Sequence, residues 1–129
     1  MPPPTAFRLR GEASGRSLDV NGGSSANGTP MIWDCHSGAN QQFTQVGHTL
    51  QVVGKCLDIA PNASAGTRAQ IWDCNGGTNQ QWTFNGNATI SSVRFPTLCL
   101  DVDLGATANG TAALVWTCHG AANQRWARD

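Results

Sequence analysis

One pattern occurs three times in this 129-residue chain. It reads MIWDCHSGANQQF at 31–43, QIWDCNGGTNQQW at 70–82 and LVWTCHGAANQRW at 114–126. Each copy is preceded by a second recurring element, SLDV (17–20), CLDI (56–59) or CLDV (99–102). The aspartates of that element lie 39 and 43 residues apart, and the first tryptophans of the longer pattern 39 and 44. Each unit opens on a short apolar piece, FRLR (7–10), LQVV (50–53) or ISSV (90–93). Repeats at about 6–45, 46–85 and 86–128 therefore account for nearly the whole chain as one domain, 6–128. Residues 1–5, which include PPPT, read as a linker remnant or the start of an expressed fragment, because they offer no apolar run of the kind a signal peptide carries.

A period near forty is shared by several repeat architectures. No segment here keeps a 3.6-residue period, which excludes helical hairpins. Each unit instead supplies about four short runs of strand formers between Gly, Asn and Pro turns. Three such units can close on a threefold axis and leave no open sheet edge. The predicted fold is all-β, a β-trefoil of three pseudo-threefold repeats; a small propeller is disfavoured because three blades are too few.

Strand alternation separates the residues of each unit into two faces. In SLDV, CLDI and CLDV the apolar side chains share one face, which predicts that Asp19, Asp58 and Asp101 point to solvent. In MIW, QIW and LVW the central Ile32, Ile71 or Val115 is the inward residue, so Trp33, Trp72 and Trp116 face outward. Three equivalent exposed indoles add nothing to a core, and partial burial under a neighbouring loop is the competing reading. The second aromatic, Phe43, Trp82 or Trp126, tolerates exchange of Phe for Trp and reads as a core anchor. Gln41, Gln80 and Gln124, two residues earlier, either touch a ligand or satisfy loop backbone groups from a buried position.

The five cysteines follow the same logic. Cys56 with Cys74, and Cys99 with Cys118, occupy matching places in repeats two and three, which predicts two disulfides and an oxidising compartment. Repeat one has Ser17 at the first of these places, so Cys35 is left without a partner. The odd count thus reflects a degenerate repeat, and no triad spacing makes Cys35 with His36 a nucleophile. There is no Cys-x-x-Cys or paired histidine at ligand spacing, so no metal and no cofactor is expected.

Charged residues make up only 12% of the chain and the formal net charge is zero, which excludes the electrostatic footprint of a nucleic-acid binder or of an anionic-membrane ligand. No apolar run approaches membrane-spanning length. What each unit offers is an aspartate, an outward tryptophan, a turn residue (His36, Asn75 or His119) and an asparagine (Asn40, Asn79 or Asn123). That set suits a neutral polyhydroxylated ligand. An indole face stacks on the C–H face of a sugar ring, the carboxylate accepts from neighbouring hydroxyls, and the amide both donates and accepts. Hydrolysis is disfavoured, since glycosidases need two carboxyls about 5–10 Å apart across one bond and each site has one repeated aspartate. Asp34 and Asp73 are extra acids that alternation turns away from the tryptophans, and Thr117 replaces them in repeat three.

The LDV/LDI element, the IWDC/VWTC element and the Q-x-W signature, present here as QQF (41–43), QQW (80–82) and QRW (124–126), resemble the ricin B-chain-like β-trefoil lectins. They are most similar to family 13 carbohydrate-binding modules, and the resemblance spans essentially the whole chain. It implies three sugar pockets: Asp58, Trp72 and Asn79 with Asn75 and Gln80; Asp101, Trp116 and Asn123 with His119 and Gln124; and Asp19, Trp33 and Asn40 with His36 and Gln41. Repeat one departs most from the family pattern (Ser17, Met31, Phe43) and repeat three has Leu114, so the expected order of importance is second, third, first. The resemblance further implies a secreted, non-catalytic module that binds galactose-, xylose- or arabinose-type units of a neutral oligosaccharide or polysaccharide, covalently linked to a glycoside hydrolase. A protein-binding β-trefoil such as a protease inhibitor is the alternative, and would need one dominant asymmetric loop. Four Asn-x-Ser/Thr matches, at Asn27, Asn62, Asn87 and Asn109, read as turn chemistry.

Overall fold

The computed structural model describes residues 6–20 and 30–129; PPPT and Asn27 lie outside them. Twelve strands run through the described residues. The opening pieces form β1 (Leu9–Gly11), β5 (Thr49–Val52) and β9 (Ile90–Ser92). The aspartate elements form β2 (Ser17–Val20), β6 (Lys55–Asp58) and β10 (Leu98–Val102). The tryptophan elements form β3 (Pro30–Trp33), β7 (Gln70–Trp72) and β11 (Ala113–Thr117). Strands β4 (Thr44–Val46), β8 (Trp82–Phe84) and β12 (Trp126–Arg128) close the units.

The strands pair antiparallel into three four-stranded sheets, ordered β12-β1-β2-β3, β4-β5-β6-β7 and β8-β9-β10-β11. Each unit thus hands its last strand to the first strand of the next, and β12 returns to β1 with Leu9 opposite Arg128 and Gly11 opposite Trp126. Single bridges tie sheet to sheet, Met31 to Ala112 and Arg68 to Leu114 among them. The fold is a β-trefoil, and closure of the last repeat onto the first is what three equal units require.

One core fills the axis. Leu18, Leu57 and Leu100 are fully buried, as are Ile32, Ile71 and Val115 opposite them across the β2–β3, β6–β7 and β10–β11 pairs. Phe43, Trp82 and Trp126 are buried as anchors. The two indoles also carry a donor that phenylalanine lacks: Trp82 Nε1–H donates to the Leu57 carbonyl (3.0 Å) and Trp126 Nε1–H to that of Leu100 (3.1 Å). Trp at this place therefore does more than fill volume.

The predicted cystines form, Cys56 to Cys74 and Cys99 to Cys118, with Cα atoms 5.1 and 5.0 Å apart. Cys35 is free, and Ser17 Oγ–H donates to its sulfur at 2.8 Å.

The aspartates correct the face assignment. Asp19, Asp58 and Asp101 are 4%, 2% and 3% exposed, where alternation predicts solvent. Period two sorts side chains into two faces but does not say that either is wet. The second face here is roofed by short 3-10 turns carrying the Asn-Gln pairs, at Ala39–Gln41, Thr78–Gln80 and Ala122–Gln124.

Candidate functional site

Register places the site. Asp58 lies opposite Gln70 across the β6–β7 pair, and Trp72 follows two residues along β7 on the same face. Asp19, Met31 and Trp33 repeat that geometry, as do Asp101, Leu114 and Trp116. Each face therefore runs from a carboxylate, over one variable side chain, to an indole.

The carboxylates are held by amides. Asn40 Nδ2 donates to Asp19 Oδ1 (2.7 Å), Asn79 Nδ2 to Asp58 Oδ1 (3.2 Å) and Asn123 Nδ2 to Asp101 Oδ1 (2.7 Å). Gln41, Gln80 and Gln124 donate to the second oxygen at 2.8, 2.7 and 2.8 Å. A carboxylate offers about four lone-pair positions, so two such bonds leave it able to accept from a ligand. In repeat two Gln70 Nε2 adds a third donor to Asp58 Oδ1 at 3.2 Å, and Asn79 Nδ2 also donates to the Ile59 carbonyl at 3.0 Å. Both amide hydrogens of Asn79 are thus engaged within the protein.

The three glutamines are fully buried, which decides between their two readings. The second hydrogen of each Nε2 goes to the backbone carbonyl of Asp34, Asp73 or Thr117, and each Oε1 accepts the N–H of His36, Asn75 or His119. With both donors used and no surface, Gln41, Gln80 and Gln124 position the aspartate and the turn, and do not face a ligand.

The turn residue varies between His and Asn because each supplies the same acceptor. His36 Nδ1 accepts from Gly38 N–H (2.9 Å), Asn75 Oδ1 from Gly77 N–H (2.8 Å) and His119 Nδ1 from Ala121 N–H (3.1 Å). An accepting Nδ1 puts the proton of the neutral ring on Nε2, and Nε2 lies 3.4 Å from Asp19 Oδ2 in His36 and 3.7 Å from Asp101 Oδ2 in His119.

Trp33, Trp72 and Trp116 are 43%, 44% and 47% exposed, as their face predicts. The competing reading holds for part of two of these rings. A Cβ on Gly66 would sit 3.5 Å from Trp116 Cζ3, and one on Gly110 would sit 3.9 Å from Trp33 Cζ3. Both glycines have left-handed backbone (φ +95° and +90°), so a loop of another repeat props each indole while the rest of the ring stays open.

Sequence reasoning missed several neighbours. In repeat three Asp101, Trp116, His119 and Asn123 line a cavity of about 330 Å³ together with Asp103, Leu104 and Gly105, so this repeat, ranked second from its sequence, holds a formed pocket. Arg94 ties down the two segments that flank site two in sequence, with Nε donating to the Pro61 carbonyl (2.8 Å) and Nη1 to Thr78 Oγ1 (3.3 Å), the residue before Asn79. Its place in the bend after β9, in the next repeat from Asp58, gave no sequence signal. Asp34 and Asp73 are exposed and ion-paired with Arg16 and Lys55.

The pattern of these residues is that of a known family. Residues 5–126 match the model of the ricin-type beta-trefoil lectin domain. The chain belongs to that family. Among solved structures, the lectin domain is similar to a designed 3-fold symmetric protein, ThreeFoil (25% identity, TM-score 0.85, covering 95% of this chain and 96% of that one). It is also similar to a non-toxic homologue of type II RIPs from Momordica charantia (bitter gourd), solved in complex with alpha-methyl-D-galactoside (25% identity, TM-score 0.86, covering 98% and 48%). A third similarity is to an exo-beta-1,3-galactanase from Clostridium thermocellum (26% identity, TM-score 0.81), of which the match covers 30% while taking in 99% of this chain.

Proposed function

We propose that this lectin domain is a non-catalytic carbohydrate-binding module for neutral sugars, with up to three shallow sites. The observation that carries the reading is the threefold recurrence of one constellation: a buried aspartate whose two oxygens are fixed by Asn and Gln amides, beside a half-exposed tryptophan. A preorganised carboxylate accepts from vicinal hydroxyls, and the open indole stacks on the C–H face of the ring. The residues that meet the sugar are Asp101, Trp116, His119 and Asn123 at the third site. The equivalents are Asp58, Trp72, Asn75 and Asn79 at the second, and Asp19, Trp33, His36 and Asn40 at the first. Galactose-type units are favoured, since the bitter-gourd relative was solved with a galactoside.

The galactanase similarity supports attachment to a glycoside hydrolase, because the stretch that matches is a minor part of that chain. Two disulfides fit a secreted protein. Weak sites pointing outward around one axis gain from polysaccharide through effective concentration. The test is retardation by a soluble galactan in affinity electrophoresis. Trp116→Ala removes an exposed ring, so the fold persists and retardation falls; a triple Trp33→Ala, Trp72→Ala, Trp116→Ala variant that migrates like the parent on every polysaccharide tried defeats the reading.

A further inference from the structure

The third repeat departs from the others just after its aspartate. Three places after Asp101 stands Leu104, where the first two repeats have Gly22 after Asp19 and Pro61 after Asp58. The loop after β10 folds into a 3-10 turn, Asp103–Gly105, in which Leu104 adopts left-handed backbone (φ 57°, ψ 16°) followed by Gly105 at φ 65°. That conformation crowds the leucine Cβ against the following carbonyl, and Gly or Asn would adopt it with less strain.

Leu104 is also 97% exposed, while each of the chain's seven other leucines is buried. Neither its backbone nor its side chain serves the core. The turn is nevertheless fixed in place. Asp103 N–H donates to the Ala112 carbonyl (3.0 Å), Ala106 N–H donates to that of Asp103 (3.1 Å), and a Cβ on Gly105 would stand 3.7 Å from Asn123 Cγ. The result is a strained, fully exposed apolar side chain held on the wall of the same cavity as Asp101 and Trp116. Strain that the fold does not need, at the edge of a site, points to function.

We propose that Leu104 is a specificity-determining residue of the third site, engaging the apolar surface of the group attached to the bound sugar. The inference rests on the sugar-binding reading and adds its ligand class: glycosides whose substituent presents C–H or ring surface, whether a second sugar or an aglycone. Sites one and two carry Gly22 and Pro61 at that place, offer no such apolar side chain and recognise the single sugar unit alone.

The experiment uses the full chain with Trp33→Ala and Trp72→Ala, which leaves the third site as the reporter. Calorimetric titration compares methyl β-galactoside, 4-nitrophenyl β-galactoside and β-1,3-galactobiose, with and without Leu104→Asn. Asparagine tolerates left-handed backbone, so the variant melts no lower than its parent. Its affinity for methyl β-galactoside stays within about twofold, while that for at least one larger glycoside falls about fivefold, as expected from losing part of a leucine contact. A loss confined to the nitrophenyl glycoside assigns an aglycone, and a loss with galactobiose assigns a second sugar. Equal affinities for all three ligands in parent and variant, with Trp116→Ala still abolishing binding, overturn the role of Leu104 and leave the sugar site standing. A parent that binds none of the three overturns the role of Leu104 together with the third site, and retardation of the unsubstituted chain by galactan then reads sites one and two.

Discussion

Replacing Ser17 by cysteine should complete a third cystine. Ser17 stands on β2 where Cys56 stands on β6 and Cys99 on β10, and its Oγ already lies 2.8 Å from Cys35 Sγ. The two native pairs bridge Cα atoms 5.1 and 5.0 Å apart across equivalent turns, so the backbone has the spacing a disulfide needs. The new loop, residues 17 to 35, has the 18-residue separation of Cys56–Cys74. Closing it removes about 3 kcal/mol of unfolded-chain entropy. Loss of the buried hydroxyl's hydrogen bond returns about 1 kcal/mol. The net gain of about 2 kcal/mol corresponds to a rise of roughly 6–10 °C in melting temperature for a domain of this size. Thiol titration of the unfolded, unreduced protein should fall from one reactive group, Cys35, to none. Urea unfolding then gives the free energy. Two titratable thiols in Ser17→Cys would refute the geometric equivalence of the repeats. Full oxidation with an unchanged midpoint would refute the entropic account.

Two further substitutions test the buried polar scaffold. Gln80→Ala strips a donor from Asp58 and unpairs the Asp73 carbonyl and the Asn75 N–H, so urea denaturation should show a loss of at least about 3 kcal/mol although no ligand contact is removed. Trp82→Phe keeps most of the core volume but leaves the Leu57 carbonyl without its indole partner; a loss of about 1–3 kcal/mol is expected, and a neutral result would return this position to simple bulk filling.

The sequence by itself determined the architecture, because its repeat is periodic at every level at once. Spacing gave the number of units, strand-length apolar runs gave their class, and alternation set Ile32, Ile71 and Val115 inward with Trp33, Trp72 and Trp116 outward. Matching positions were enough to pair Cys56 with Cys74 and Cys99 with Cys118, since symmetry makes position in the repeat equivalent to position in space.

Tertiary structure decided the rest. Whether Asp19, Asp58 and Asp101 are wet depends on what covers the second face, and the Asn-Gln turns that roof it come from a later segment of each unit. The same roof buries Gln41, Gln80 and Gln124 and turns three potential ligand contacts into supports. Arg94 reaches Pro61 and Thr78 of the second repeat, and Gly66 and Gly110 prop the indoles, only because neighbouring repeats are packed side by side around the axis. Leu104 illustrates the limit most directly. As a letter in DLGATANG it is one more apolar residue. Only the left-handed turn after β10 brings it out of the core and onto the rim of the third pocket.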